Sequence, residues 1–293
     1  MGLNLSMQHS QTNEDLPCQH YSAKHRIVAW ISTKIFDNSS YTVRHGLLKG
    51  MKRRGGLGWI PESFLRGGET AEQRFWADLD LAGATVYDVG AFHGLLTLHF
   101  AAKAKAVICF EPNTANHKRL SENLALNSIG NVQVRKAGVG SKRQTLRMVS
   151  NPLMPGGSSV DAKLGDAIRR SGEVVEEEIS IITLDEEIAE AGLAPPDFVK
   201  IDIEGWEIEA LRGAKSTLLK YRPALFLEMH GETIREKKQK VQEIVNFLWS
   251  IDYRRIRHIE TGTAITPETS EVAREGHLYC ESSARELAET AAP

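Results

Sequence analysis

The sequence predicts a doubly wound α/β fold built on a mostly parallel sheet of about seven strands, and three observations carry that prediction. Strands alternate with helices from residue 84 onward, a glycine turn follows the first of these strands, and an acid ends the second. Thr85-Val86-Tyr87-Asp88-Val89 is rich in β-formers and runs into Gly90. Leu95 to Lys105 continues as a helix, and Ala106 to Glu111 reads as a buried strand. Asn113 to Asn127 places Leu120, Leu124 and Leu126 in a helical register before a third strand at Val132-Gln133-Val134. Successive βαβ units of this kind cross over with right-handed connections. The alternation resumes with a strand at Phe198 to Ile203, a helix at Trp206 to Ala214 and a strand at Ala224 to Glu228. A helix from Thr233 to Trp249 and strands near Tyr253 to Ile256 and His277 to Cys280 complete the sheet, and no internal repeat suggests a solenoid instead.

Composition narrows the partners. Thirty-six Lys and Arg stand against 38 Asp and Glu, a net charge of -2, which supplies no field for holding a polyanion. A small-molecule partner is expected, with no nucleic acid, and RNA is further disfavoured by the lack of an aromatic-basic stripe. Cys18, Cys109 and Cys280 lie far apart and read as reduced thiols of a cytoplasmic protein. No run of about 18 apolar residues occurs, so no membrane span is expected.

The chain divides into a disordered segment at 1–23, an extension at 24–83 that packs on the core, the main domain at 84–281, and a polar tail at 282–293. Within the extension, a short helix is expected from Lys24 to Phe36, a turn-rich stretch with seven glycines from Gly46 to Gly68, and a helix from Glu72 to Leu81. Residues 141–182 interrupt the alternation and read as an insertion or antiparallel excursion, a candidate lid over the site. The sequence leaves open whether the chain forms a homo-oligomer.

The glycine loop, Asp88-Val89-Gly90-Ala91-Phe92-His93-Gly94, is the first candidate binding element. A strand that feeds a glycine turn at a helix start can bring backbone N–H groups to a ligand. The dinucleotide fingerprint G-x-G-x-x-G is incomplete here, because Phe92 stands between Gly90 and Gly94, and this disfavours close approach of a pyrophosphate. Asp88 could accept from a ligand's amino or hydroxyl groups. Glu111 follows Gly90 by 21 residues, where an acid can take both hydroxyls of a ribose, and Pro112 then turns the chain. Asp88, Gly90, Ala91, Gly94, Glu111 and Pro112 are therefore the expected cofactor-binding residues.

Several ordered motifs together resemble the FkbM family of methyltransferases. They are Val86-Tyr87-Asp88-Val89-Gly90-Ala91, Phe110-Glu111-Pro112, Gly157-Ser158-Ser159, Thr183-Leu184-Asp185, Asp197 to Gly205, Leu211-Arg212-Gly213-Ala214, Arg222-Pro223 and Leu227-Glu228-Met229-His230. They span about half the chain, and Lys200-Ile201-Asp202-Ile203-Glu204-Gly205 is the most distinctive run. The resemblance implies a class I, Rossmann-like methyltransferase that uses S-adenosyl-L-methionine and transfers to a hydroxyl oxygen of a sugar or natural product. One departure is visible: the family commonly carries Asn after Gly-Ala, and this chain has Phe92. The alternatives are a nicotinamide-dependent oxidoreductase and a binding protein that keeps the fold without catalysis.

Methyl transfer to a hydroxyl needs an aligned acceptor and somewhere for its proton to go. Asp202, Glu204, Glu228 and His230 fall at the carboxyl ends of strands, where such a group belongs. Alternation along the strand puts Lys200, Asp202 and Glu204 on one side while it stays extended. Lys200 either holds the carboxylates charged or, desolvated, serves as a base itself. His230, with an ordinary pKa of about 6.5, is the first choice of base, Glu228 could orient it, and Asp202 is assigned to catalysis. Glu204 and Ser158 are assigned to the acceptor, a small hydroxylated molecule. Asp202, Glu228 and His230 could share a divalent ion, but nothing in the sequence fixes a ligand count, and no metal is assigned. His93 receives no role, Trp206 reads as packing, and Asp185 as a helix N-cap.

Overall fold

The computed structural model describes residues 38–55, 69–151, 158–170 and 172–283. The segment expected to be disordered (1–23), the helix from Lys24 to Phe36, residues 56–68, Gly157 and nearly all of the polar tail lie outside the described residues.

A small antiparallel pair, β1 (Ser40–Thr42) and β2 (Lys52–Arg54), precedes helix α1 (Ala71–Asp78). The Thr70 side chain caps α1 by accepting from the Gln73 N–H, and Gln73 reaches back to the Thr70 N–H, which satisfies two of the helix's orphan donors. The regular core then follows as β3 (Thr85–Val89), α2 (Leu95–Lys103), β4 (Ala106–Phe110), α3 (Thr114–Leu126) and β5 (Val132–Arg135). An excursion comes next: β6 (Gly138–Val139), β7 (Gln144–Ser150), β8 (Ser158–Ser159), α4 (Ala162–Arg170) and β9 (Val175–Ile182). The core returns with α5 (Leu184–Ala191), β10 (Phe198–Ile201), α6 (Glu207–Arg212), α7 (Lys215–Tyr221), β11 (Ala224–Glu228) and α8 (Ile234–Ser250). It closes with β12 (Arg255–His258), β13 (Ala264–Ile265) and β14 (His277–Glu281).

The main sheet has eight strands in the order β13-β12-β14-β11-β10-β3-β4-β5. From β11 to β5 every neighbouring pair is parallel, while β14 inserts antiparallel between β11 and β12. This is a class I, Rossmann-like sheet, with one strand more than expected because β13 forms a short antiparallel pair with β12. The strand order reverses between β3 and β10, and this is where open α/β sheets place their ligands. The excursion forms a second sheet, β6-β9-β7-β8, with β7 and β9 paired antiparallel over seven residues from Gln144↔Ile181 to Ser150↔Val175.

The central strands are buried on both faces, which explains their near-continuous apolar runs. Two differences from the sequence reading concern helices. The stretch from Trp206 splits into α6 and α7 around Gly213, whose would-be Cβ lies 1.9 Å from the Gly140 carbonyl oxygen, so the two backbones meet only because no side chain intervenes. Thr183, rather than Asp185, caps α5, and Asp185 instead accepts from the Ser216 and Thr217 N–H groups at the start of α7. Among the described residues no helix is long and apolar enough to cross a membrane.

Helix α1 is held to the sheet by Trp76, 1% exposed, whose ring lies 4.1 Å from that of Phe226 and 5.3 Å from that of Phe100. Trp76→Ala is expected to cost about 3–5 kcal/mol in urea unfolding because it opens a cavity between α1, α2 and the sheet. A loss below about 1 kcal/mol would mean that α1 is not part of the cooperative core.

Candidate active site

The carboxyl ends of β3, β10 and β11 bring the candidate residues together. Strand β3 enters the glycine loop at Gly90, where φ is +85° and a Cβ would sit 1.8 Å from the Asp202 carbonyl oxygen. Gly90 is thus required by the closeness of the neighbouring strand end. The Gly90 and Ala91 N–H groups both donate to the Phe110 carbonyl, at 3.0 and 3.1 Å, so they serve the loop rather than face a ligand as expected. Ala91 is buried, and Gly94 (φ +81°) makes room for Leu120 at the start of α2.

Beneath the loop lies an ion-pair clamp. Lys200 is 3% exposed, and its Nζ donates to the Gly90 carbonyl at 2.7 Å and sits 3.2 Å from both Asp88 Oδ1 and Asp202 Oδ2. Burial alone would lower the lysine's pKa, but the Asp202 and Asp88 carboxylates outweigh it and hold the group charged, above its ordinary range. Lys200 is therefore a positioning cation, and its expected alternative role as a base is corrected. Asp88 is corrected in the same way: fully buried, it accepts from the Thr97 hydroxyl at 2.6 Å and faces Lys200, with no surface left for a cofactor.

Glu111 ends β4 and is 5% exposed. One oxygen accepts from the Phe92 N–H at 2.8 Å, and the other from the Asn113 N–H at 2.9 Å and more weakly from Asn116 at 3.4 Å. Burial pushes its pKa up to about 7, against the lowering by those N–H donors. Glu111 thus points to the glycine loop and latches it at Phe92, a non-glycine residue held at φ +50°. Phe92 is 36% exposed and stacks on His93 with ring centroids 3.8 Å apart. Pro112 lies beside Gly138 at the start of the excursion, where a side chain at that glycine would meet its ring at 3.7 Å.

The acidic cluster beside the loop centres on His230. Its Nδ1 is 2.9 Å from Glu207 Oε1, and its Nε2 lies 3.4 Å from Glu204, 3.6 Å from Glu228 and 3.7 Å from Asp202. Burial lowers an imidazole's pKa, but Glu204 and Glu207 outweigh that effect and raise the ring well above its ordinary value. Carboxylates face both ring nitrogens, so the structure shows His230, the expected free base, as an ion-paired member of the cluster. Burial raises the Asp202 carboxyl, and burial also pushes Glu204 up to about 8. Glu228 goes the other way, to about 2, because His277 and His230 outweigh its burial.

Strand alternation does not deliver Glu204 as expected. Strand β10 ends at Ile201, and Glu204 reaches the cluster from a turn at φ +53°. The Ser159 hydroxyl donates to the Glu204 carbonyl at 2.8 Å and ties the excursion to this turn, whereas Ser158, assigned to the acceptor, is its half-buried neighbour on β8. The Trp206 indole nitrogen lies buried beside Gly140 without a hydrogen-bond partner among the described residues.

Four participants escaped the sequence reading: Glu207, His277, Thr97 and Asn113. Glu207 reads as an ordinary first-turn acid of a helix. His277 lies 49 residues beyond Glu228 and becomes its cross-strand partner only through the β11–β14 register.

A family model described as the methyltransferase FkbM domain matches residues 88–255, more than half of the chain. Methyltransferase 1 of Beauveria bassiana is 26% identical over 142 residues, covering 44% of this chain and 57% of that protein. The hexuronic acid methyltransferase AglP of Haloferax volcanii is 29% identical over 134 residues, covering 45% of this chain and 51% of its own length. The matches thus span about half the length of these curated relatives. The crystal structure of an FkbM methyltransferase from Methylobacillus flagellatus aligns at 21% identity and a TM-score of 0.46, covering 70% of this chain and 45% of that one.

Lys200→Met is expected to cost about 3–5 kcal/mol in chemical denaturation, since it strands the Asp88 charge in the interior. Adding Asp88→Asn should recover part of that loss, and a double-mutant cycle measures the coupling. Purely additive losses would dissolve the clamp.

Proposed function

The chain belongs to the FkbM methyltransferase family, and from that premise we propose that it is an S-adenosylmethionine-dependent O-methyltransferase acting on a hydroxyl of a small, sugar-like acceptor. One observation carries the reading: the carbonyl of Asp202 packs directly on Gly90, so the acidic cluster borders the loop that Glu111 latches.

The residues at the loop fit the cofactor. When ionised, Glu111 is acceptor-only and complements the two hydroxyl donors of a ribose, while Asp88 holds the loop from below. Bound, the cofactor supplies a methyl group on a sulfonium. The chain's own residues must then orient an acceptor oxygen, keep water away and take its proton. Asp202 suits the last of these roles, because its carboxyl is raised by burial, fixed by Lys200 on one oxygen, and reachable at 28% side-chain exposure. His230 positions the neighbouring carboxylates. Carboxylates outnumber the cations Lys200, His230 and His277 here, so a neutral hydroxyl enters more readily than a carboxylate acceptor. AglP, named for a hexuronic acid, supports a sugar-type acceptor class, and the excess of carboxylates here favours approach of such a sugar by a hydroxyl rather than by its carboxylate.

Isothermal titration with S-adenosylhomocysteine and with NADPH tests the cofactor, and binding of the second alone would overturn the proposal. Glu111→Gln should weaken S-adenosylhomocysteine by about 10–100-fold, the worth of a charge-assisted hydrogen bond. Ribose donors stabilise the ionised carboxylate, so affinity should climb as pH rises through about 7, approaching tenfold per pH unit below it, and Glu111→Gln should flatten this profile. Asp202→Asn should keep cofactor affinity and lose about 10²–10⁴ in turnover, read as S-adenosylhomocysteine release across a panel of sugars and uronic acid glycosides. A variant that turns over normally would remove Asp202 from the chemistry.

A further inference from the structure

We propose that Asp202, Glu228 and His230 bind a divalent cation of the Mn²⁺/Mg²⁺ class at the strand ends, beside the glycine loop. One oxygen of each carboxylate and the His230 Nε2 all lie within 4.8 Å of one another. Cations with oxygen-rich shells bond at about 2.0–2.6 Å, so adjacent ligand atoms stand about 3–3.7 Å apart and an opposite pair about 4–5 Å apart. The 3.7 and 3.6 Å spacings of Nε2 from Asp202 and Glu228 fit the adjacent case.

Proximity of acids alone would not make a site. The independent observation is His230, whose side chain is nine-tenths buried. Its Nδ1 is fixed by Glu207 at 2.9 Å, while Nε2 points into the gap and makes no hydrogen bond among the described residues. A histidine oriented through one nitrogen by a carboxylate, with the other nitrogen turned toward further carboxylates at 3.4–3.7 Å, is the arrangement in which imidazole joins a metal's ligand set.

The two carboxylates are held by the same division of labour. Lys200 holds Asp202 Oδ2 at 3.2 Å and leaves Oδ1 facing inward. His277 sits 3.7 Å from Glu228 Oε2, itself fixed by Glu260 at 2.6 Å, and leaves Oε1 facing inward. Each ligand is thus anchored outward by a different element, and three atoms converge on one another. Glu204, 3.4 Å from Nε2, adds negative charge at the rim. Two oxygens and one imidazole nitrogen suit a hard to borderline cation, and the absence of thiolate from the set disfavours soft metals. Three protein ligands leave coordination positions open toward the acceptor.

The inference rests on the methyl-transfer reading and refines it. With the cation bound where the acceptor hydroxyl enters, Asp202 acts as its ligand, and the hydroxyl's acidity is raised by the cation in place of a free carboxylate base. Its test does not depend on turnover. The full chain, stripped with EDTA, is titrated with Mn²⁺ while free Mn²⁺ is followed by electron paramagnetic resonance. One site per chain with Kd below about 1 mM is expected, weakened at least tenfold by Asp202→Asn and by Glu228→Gln. Glu243→Gln, an exposed α8 acid paired with Arg212, should leave it unchanged. Electron spin echo envelope modulation of the loaded wild type should show a single imidazole nitrogen, a readout that stands even where a variant does not fold. No saturable binding, or a bound ion without histidine nitrogen, overturns the proposal. S-adenosylhomocysteine binding measured in EDTA separates the two readings. If it persists in a chain that takes no Mn²⁺, the cation alone fails; if it is absent while Mn²⁺ binds, the methyl-transfer reading fails and the cation stands.

Discussion

A buried lysine organises this molecule's working end. Lys200 and Asp88 are register partners on adjacent parallel strands, so their side chains rise from the same face of the sheet into a region with almost no solvent. A lone charge there would be prohibitive, and the arrangement survives because Nζ meets two carboxylates and a backbone carbonyl. The same contacts fix three things at once: the exit of β3 into the glycine loop, the end of β10, and the orientation of Asp202. Structure and site are therefore set by one set of charges.

Around this clamp the site grows outward through alternating acids and bases. Asp202 and Glu228 flank His230, Glu207 holds the ring from behind, and His277 and Glu260 extend the chain of contacts to the antiparallel edge of the sheet. Such a network is costly to bury and tolerates little freedom, because every member depends on a neighbour for its charge state. That rigidity is what a transfer reaction asks of its surroundings, since alignment contributes more than any single contact.

The excursion is joined to the same region. Ser159 donates to the Glu204 carbonyl, and Lys240 on α8 bridges Asp161 and the Gly205 carbonyl, both at 3.1 Å. The second sheet is thereby anchored to the turn that presents Glu204. A change in the excursion would reach the acidic cluster through these bonds.

The sequence alone determined the order of strands and helices, the glycine loop, the acid at the tip of β4 and the family motifs, because these follow from local periodicity and from residues adjacent in the chain. It located Asp202, Glu204, Glu228 and His230 at strand ends, but not what each does. Those roles depend on burial and charge, and both are properties of neighbours. Asp88 and Lys200 read as site residues until the β3–β10 register turned them toward each other. His230 read as a base until four carboxylates from β10, α6 and β11 or their flanking turns closed around it. His277 had no local signal at all, because only antiparallel pairing of β14 with β11 sets it opposite Glu228. Local pattern fixes where a side chain sits along the chain, whereas its protonation and its partners are decided by long-range packing.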